Sequence, residues 1–225
     1  FRIDAVRHID RQFLKSWTST IGQTTDLVFA GEVFDGNPVT VAREAAATGL
    51  THTFDFPLHY AITEGFCGPG DLRKIAAVLT QDRVYPDGHQ WITFLDNHDT
   101  PRVRGVCKDK TEAAFALLTS LRGIPSITWG TVNGQTGEAE PENRGDMDFE
   151  RTPMHKWIVD RLDERRSFTP LTEGKTEIIR AEQDRMVFAR VMTHEAIVVD
   201  IGGGGEAPSL PSEAGEPQWL ALEDT

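Results

Sequence analysis

Apolar and polar residues follow two alternating patterns over the first 168 positions of the chain. Short apolar runs predict strands at residues 1–6, 26–33, 52–56, 90–95 and 126–129. Between these runs, apolar residues recur every three or four positions, which predicts helices at residues 8–21, 39–47, 57–66, 71–79, 111–122 and 154–166. Because strands alternate with helices, the pattern predicts a five-stranded parallel sheet with right-handed crossovers.

The pattern changes after residue 168. Short alternating or β-branched runs, separated by polar turns, predict strands at residues 176–180, 186–191, 196–201 and 218–222. No helical periodicity separates these runs, so the segment predicts an antiparallel sheet. We therefore divide the chain into a β/α domain at residues 1–168 and an antiparallel all-β domain at residues 169–225.

Composition excludes several classes of protein. The formal net charge of −12 opposes a phosphate-binding surface, so nucleic acid is not expected as a partner. No apolar run reaches the roughly 20 residues that cross a bilayer, and the first ten residues carry no signal-peptide pattern. The two cysteines, Cys67 and Cys107, are too few for a disulfide scaffold or a four-ligand zinc site, so we expect two free thiols.

Three of the predicted strands end in a carboxylate: Asp4, Glu32 and Asp99. Strand alternation places Arg2 on the same face as Asp4, so the guanidinium should keep that carboxylate ionised. Apolar residues precede Glu32 and favour its neutral form. One charged and one neutral carboxyl group are what retaining glycoside cleavage requires, and Asp99 would offset positive charge on the transition state.

Each of these residues also has a structural explanation. An Asp after a strand often caps the next helix, and a single His is more often a structural residue than a ligand or an acid. The arrangement favours an active site, because independent caps would not place Arg2 two residues before one carboxylate and His98 directly before another.

The strings FRIDAVRH, GEVFDG and FLDNHD resemble, in order and spacing, three sequence signatures of the α-amylase family, which are retaining glycoside hydrolases that act on α-glucosidic bonds. The resemblance implies that Asp4 is the nucleophile beside Arg2 and that Glu32 is the acid/base. It also implies that Asp99 is the stabilising carboxylate, beside His98. Residues 54–58 (FDFPL) and 123–130 (GIPSITWG) resemble the sixth and eighth barrel strands of that family. The implied fold is α/β: a partial (β/α)8 barrel holding strands four to eight, followed by an antiparallel β domain.

The resemblance implies an α-glucan substrate, such as starch or a maltooligosaccharide. Arg7 and His8 would contact sugar on the leaving-group side, with solvation of a helix start as the alternative. Phe34 is our candidate for stacking on a sugar, and the other aromatic candidates, with core packing as their alternative, are His59, Trp129 and Phe149. Two arginines, Arg102 and Arg144, would pair with carboxylates in the cleft or form surface ion pairs.

No cofactor is required for this chemistry. The resemblance allows structural calcium in the full-length enzyme, for which the backbone of His8 is a candidate contact. The resemblance also implies three earlier strands and an inserted domain before Phe1, so we expect this chain to be the C-terminal part of a larger enzyme. Alone it should be inactive, since five strands cannot close the barrel.

Two alternative functions remain open at this point. The first is a transglycosylase of the same family. The second is a relative that kept the barrel for carbohydrate binding or as a scaffold and lost catalysis. The presence of all three carboxylates argues against the second alternative, because decay would be expected to remove at least one of them.

Overall fold

A computed structural model describes residues 1–24 and 26–202, together with the backbone of residues 218–222. Its first sheet has five parallel strands in the spatial order in which they follow along the chain. These strands are β1 (Arg2–Ile3), β2 (Ala30–Gly31), β3 (His52–Phe54), β4 (Gln90–Thr93) and β5 (Ile124–Pro125). The predicted five-stranded parallel sheet is confirmed, although each strand is shorter than the apolar run that predicts it.

Helices connect the strands and cover the sheet. The described residues contain α1 (Arg11–Gly22), α2 (Pro38–Thr48), α3 (Phe56–Ile62), α4 (Arg73–Leu79), α5 (Val103–Cys107), α6 (Thr111–Ser120), α7 (Pro153–Ser167) and α8 (Thr169–Glu173). Side-chain caps explain several helix starts: Asp10, Asn37, Asp55 and Thr152 each accept a hydrogen bond from a backbone N–H of the first turn. The short helices α5 and α8 were not predicted. No helix in this part of the chain is long and apolar enough to cross a bilayer.

The last strand of the parallel sheet lies earlier than predicted. The sequence predicts a strand at residues 126–129, whereas β5 covers Ile124–Pro125. Ser126 N–H still donates to Thr93 O at 2.7 Å. Beyond Ser126 the chain leaves the sheet, and the next contact is made by a side chain: the Thr128 hydroxyl donates to Asp96 O at 2.8 Å. Pro125 is tolerated because β5 is an edge strand of this sheet.

A glycine brings the first helices close to the strand that precedes Glu32. A Cβ atom at Gly31 would collide with the side chain of Leu50 and reach contact distance of Val6. Both of those side chains are buried in one apolar cluster with residues of α1 and α2. Close packing at Gly31 therefore fixes the end of β2, from which Glu32 projects.

The second sheet contains β6 (Lys175–Ala181), β7 (Met186–Val191), β8 (Ala196–Ile201) and β9 (Gln218–Leu222). Strands β6, β7 and β8 are antiparallel, as predicted. The fully antiparallel prediction is wrong for β9, which pairs parallel to β8. A parallel neighbour needs a connection of about a dozen residues or more, and residues 202–217 supply that length.

The two cysteines form a disulfide, so the prediction of two free thiols is wrong. Cys67 ends a single π-helical turn (Thr63–Cys67) that continues α3, and Cys107 ends the unpredicted helix α5. These two elements pack together and bring the Cα atoms to 4.4 Å, within the usual range for a disulfide. A bond that closes a 40-residue separation is worth about 2–4 kcal/mol of stability.

Candidate active site

One guanidinium group holds two of the predicted catalytic carboxylates. Arg2 Nη1 lies 2.7 Å from Asp4 Oδ1, and Arg2 Nη2 lies 2.9 Å from Glu32 Oε1. The register of β1 and β2 explains this arrangement, because Ile3 is opposite Gly31 and the next residues of both strands leave the sheet together. Asp4 is exposed, with 70% of its side chain accessible, whereas only 10% of the Glu32 side chain is accessible.

Glu32 lies in a more polar environment than the sequence predicts. Besides the bond from Arg2, its Oε2 atom accepts a hydrogen bond from Ala5 N–H at 3.3 Å. Ala5 has a left-handed backbone conformation with a φ of 46°, which is unfavourable for a residue with a Cβ atom. Such strain persists where surrounding structure imposes it and is common at functional sites. Here it turns the chain sharply out of β1 directly after Asp4.

An open cleft of about 480 Å³ borders Glu32, and its lining includes Ala5, Arg7, His8 and Phe34. Three predicted substrate-binding residues therefore surround the candidate acid. Phe34 is 48% exposed, and its inner face packs on buried Phe56 at a ring distance of 4.3 Å. Packing fixes the orientation of this aromatic ring while about half of the residue stays accessible.

The cleft also has a charged border. Arg7 Nη1 lies 3.0 Å from Asp35 Oδ2, so this arginine is held beside Phe34 by an ion pair. His8 closes a short 3-10 turn (Val6–His8) with its N–H bonded to Ala5 O. Both residues line the cleft with Glu32, and their contact with sugar stays a prediction.

The other aromatic candidates differ in their accessibility. His59 is buried and stacks on Phe94 at 4.9 Å, so the prediction that it faces sugar is wrong and its packing alternative holds. Burial lowers the pKa of His59 to about 4, which keeps it neutral at pH 7. Trp129 is 41% exposed and lies over the Arg102 guanidinium at 4.7 Å, whereas Phe149 is 85% exposed.

Asp99 has its own set of partners. Its Oδ1 atom accepts a hydrogen bond from Arg144 Nη2 at 2.6 Å, and His98 Nε2 lies 3.1 Å from its Oδ2 atom. Arg144 thus pairs with one of the three candidate carboxylates, and it also pairs with exposed Glu140, so both alternatives predicted for it stay open. Within the described residues, Asp99 shares no hydrogen bond or ion pair with Asp4 or Glu32. The structure brings those two together through Arg2 and places Asp99 in the loop after β4, a strand that lies two places beyond β2 in the sheet.

A buried polar network supports the turn that carries Asp99. Asp96 accepts hydrogen bonds from Val103 N–H at 2.8 Å and from the Thr131 hydroxyl at 2.9 Å. Burial raises the pKa of Asp96 and lowers the pKa of Arg102. Arg102 is fully buried and donates to the carbonyls of Asn143 and Trp129, each at 2.7 Å. Neither alternative predicted for Arg102 is correct, because it bonds mainly to backbone oxygens.

No group of three or more His, Cys, Asp or Glu side chains converges on a metal-sized site within residues 1–24 and 26–202. The backbone contact to calcium that the family resemblance implies for His8 stays a prediction.

Sequence reasoning missed two groups that contact the candidate carboxylates or their immediate neighbours. The first is the backbone N–H of Ala5, which no side-chain pattern could reveal. The second is Asn143, whose Nδ2 atom donates to the carbonyls of His98 and Thr100. Its position directly before Arg144 was the available signal.

Comparison with known proteins identifies the family of the chain. A family model described as "Alpha amylase, catalytic domain" matches residues 1–185. The chain belongs to the α-amylase family. Among curated family relatives, it is 29% identical over 210 residues to an α-amylase from Niallia circulans, covering 89% of the chain and 39% of that protein. It is 27% identical over 217 residues to a cyclomaltodextrin glucanotransferase from Bacillus licheniformis, covering 92% of the chain and 30% of that protein.

A solved α-amylase structure shows the same fold. The enzyme from Geobacillus thermoleovorans, complexed with acarbose, superposes with a TM-score of 0.77 at 26% identity. The match covers 87% of the chain and 46% of that structure. The chain thus spans less than half the length of each of these three family members, and its described part is a five-stranded portion of a TIM barrel followed by a β sheet.

Proposed function

We propose that this chain supplies the catalytic groups of a retaining α-glucan hydrolase, with Asp4 as nucleophile, Glu32 as acid/base and Asp99 as the stabilising carboxylate. The observation that carries the proposal is the single guanidinium of Arg2 that bridges Asp4 and Glu32. Retaining cleavage needs two carboxyl groups close together, about 5–5.5 Å apart, on either side of one glycosidic bond. A bridging arginine holds the pair near each other while leaving Asp4 open to substrate.

In the first step, an Asp4 oxygen attacks the anomeric carbon while the bond to the leaving oxygen breaks. Glu32, in its protonated form, gives its proton to that oxygen, and a covalent glycosyl ester on Asp4 results. In the second step, Glu32 takes a proton from water, the water oxygen attacks the anomeric carbon, and Asp4 is released.

Both transition states carry positive charge on the sugar ring. A carboxylate near that charge stabilises the transition state more than the ground state, which is the requirement for faster chemistry. Asp99 suits this role because two neighbours, Arg144 and His98, hold its orientation while about a third of its side chain stays accessible.

The proposal of an α-glucan substrate rests on the relatives of the chain and on the lining of the cleft. Its relatives include α-amylases and cyclomaltodextrin glucanotransferases, and the matching Geobacillus structure carries acarbose. Phe34 adds a half-exposed aromatic ring to the cleft beside Glu32, and such rings stack on sugars.

Transglycosylation is the second candidate function. In this case an acceptor sugar stacks on Phe34, and one of its hydroxyl groups replaces water in the second step. Glu32 takes the proton of that hydroxyl, its oxygen attacks the anomeric carbon, and a new glycosidic bond forms as Asp4 is released. The cleft wall of Phe34 and the Arg7–Asp35 ion pair favours this candidate, because it offers an acceptor sugar both an apolar face and hydrogen-bonding groups.

The test compares Asp4→Ala and Glu32→Gln in the protein as it is naturally expressed. On maltooligosaccharides, Asp4→Ala should lower kcat/KM by on the order of 10³-fold or more. Glu32→Gln should lower it by about 10²–10⁴-fold. On an aryl maltoside whose leaving group needs no proton, Glu32→Gln should regain the first step, seen as a burst of released phenol, while turnover stays slow because no base activates the water of the second step; Asp4→Ala should show no burst.

Asp163→Ala is the matched control, because Asp163 is an exposed carboxylate on α7 that pairs with Arg166. It should turn over substrate at the normal rate. Normal turnover in either test variant would reject the proposed roles. Product analysis with added maltose then separates the two candidates: longer oligosaccharides indicate transfer, and only shorter ones indicate hydrolysis.

A further inference from the structure

The loop that carries Asn143 and Arg144 holds the segment around Asp99 at three points. Arg144 Nε donates to His98 O at 2.9 Å, and its Nη2 atom donates to Asp99 Oδ1 at 2.6 Å. Asn143 Nδ2 donates to His98 O at 3.2 Å and to Thr100 O at 3.1 Å. The carbonyls on both sides of Asp99 and the carboxylate itself are therefore bonded to one short segment more than forty residues away.

Both oxygens of the Asp99 carboxylate have fixed neighbours. Arg144 contacts Oδ1, and His98 contacts Oδ2 at 3.1 Å. Rotation of the carboxylate would break both contacts. A charge-assisted hydrogen bond to an arginine is also directional, so it restricts the plane of the carboxylate.

The loop that carries Asn143 and Arg144 is itself anchored to the protein interior. Arg102 Nε donates to Asn143 O at 2.7 Å, and Arg102 N–H donates to Gly137 O at 2.8 Å. Arg102 is fully buried and Asn143 is 2% exposed. Asn143 and Arg144 are consequently attached to the core and can impose a position on Asp99.

We propose that Arg144, backed by Asn143, is a positioning residue that sets the orientation of the Asp99 carboxylate for catalysis. This inference rests on the proposed function of Asp99. Arg144 also pairs with Glu140, so its guanidinium already has a second carboxylate partner beside Asp99. The competing role for Arg144 is direct contact with substrate, since 43% of its side chain is accessible.

A double-mutant cycle between Arg144 and Asp99 separates these roles. Arg144→Met in the naturally expressed protein should lower kcat on the order of 10²-fold, as misplacement of a catalytic group by about 1 Å does. KM should change by less than about threefold, because ground-state binding is not altered. In an Asp99→Ala background, measured with α-maltosyl fluoride, Arg144→Met should change kcat by less than about twofold, since it acts only through Asp99.

The conservative variant sharpens the test. Arg144→Lys keeps the charge but cannot contact His98 O and Asp99 Oδ1 with a planar fork, so it should restore less than a tenth of the lost rate. Arg166→Met is the matched control, because Arg166 is an exposed arginine that pairs with one carboxylate on α7. It should leave kcat unchanged, and circular dichroism melting should show every variant folded.

The outcomes are distinct. Wild-type turnover in Arg144→Met, full recovery in Arg144→Lys, or additive losses in the double variant would each overturn the positioning role, the last by assigning Arg144 to the substrate. Normal turnover in Asp99→Ala alone would instead reject the proposed function of Asp99, and the positioning role with it.

Discussion

Arg2 and Arg122 each bridge two carboxylates, yet they do so in opposite surroundings. Arg2 holds Asp4 and Glu32 beside the cleft that Glu32 lines, and 42% of its own side chain is accessible. Arg122 holds Asp55 and Asp82 inside the protein, where only 6% of its side chain is accessible. The same chemical arrangement thus serves a reactive surface in one place and the interior in the other.

The difference lies in what water does to the two clusters. At the cleft, solvent screens the exposed Arg2–Asp4 pair, so that pair contributes little to stability and Asp4 remains open to a reactant. In the interior, burial alone would lower the pKa of Arg122, but the charge of Asp55 and the bonds to Asp82 raise it instead. Arg122 also lies 4.2 Å above the Trp91 ring, which adds to its packing. Removing one member of the buried cluster should therefore cost stability, whereas removing one member of the cleft cluster should cost activity.

The largest expected effect is on the buried cluster. Arg122→Met should lower the free energy of unfolding by about 3–5 kcal/mol, because Asp55 would be left as an uncompensated buried charge. Urea unfolding at pH 7 measures this loss. The double variant Arg122→Met with Asp55→Asn should be more stable than Arg122→Met alone, since the stranded charge is gone. A loss in the single variant no larger than that of the exposed control Arg166→Met would contradict this account.

A smaller free-energy effect, seen in catalysis, is expected for the cleft cluster. Arg2→Met should lower kcat/KM by about 10²-fold, which corresponds to about 2.7 kcal/mol of transition-state stabilisation. Its stability should fall by only about 1–2 kcal/mol, because Glu32 keeps its bond from Ala5 N–H. Steady-state kinetics and urea unfolding on the same samples test both halves. Arg73→Met, which removes an exposed Arg–Asp pair, is the control. An unchanged kcat/KM in Arg2→Met would contradict the claim that the Arg2 cluster serves catalysis.

The smallest effect concerns His59, which lies between the two clusters. It follows Asp55 by one helical turn and stacks on Phe94, whose ring contacts Phe54 beneath Arg2. Burial lowers its pKa from 6.5 to about 4. Between pH 7 and pH 5 the unfolded chain therefore gains a proton at this histidine and the folded protein does not, so stability falls by about 2 kcal/mol as the pH drops.

His59→Phe removes the histidine that takes up this proton. Between pH 7 and pH 5, the unfolding free energy of the variant should therefore fall by about 2 kcal/mol less than that of the wild type. The pKa of His89 is also lowered to about 4 by burial, and this histidine stays in both proteins as an internal reference. Equal declines in the wild type and the variant would mean that His59 is not buried in its neutral form.

The sequence alone determined the alternating order of strands and helices, the second sheet and the pairing of Asp4 with Glu32. These features follow from local regularities: a period of apolar residues defines each element, and neighbouring parallel strands bring their ends to the same edge. A carboxylate after each of two adjacent strands therefore predicts a pair without knowledge of the loops.

Only the tertiary structure decided which distant groups meet. The contact of Arg144 with Asp99, the Cys67–Cys107 disulfide and the burial of Arg122 all join residues at least 40 positions apart along the chain. The parallel pairing of β9 likewise depends on a long connection. Such contacts depend on how loops return to the sheet and how side chains fill the space between layers, and neither leaves a periodic trace in the sequence.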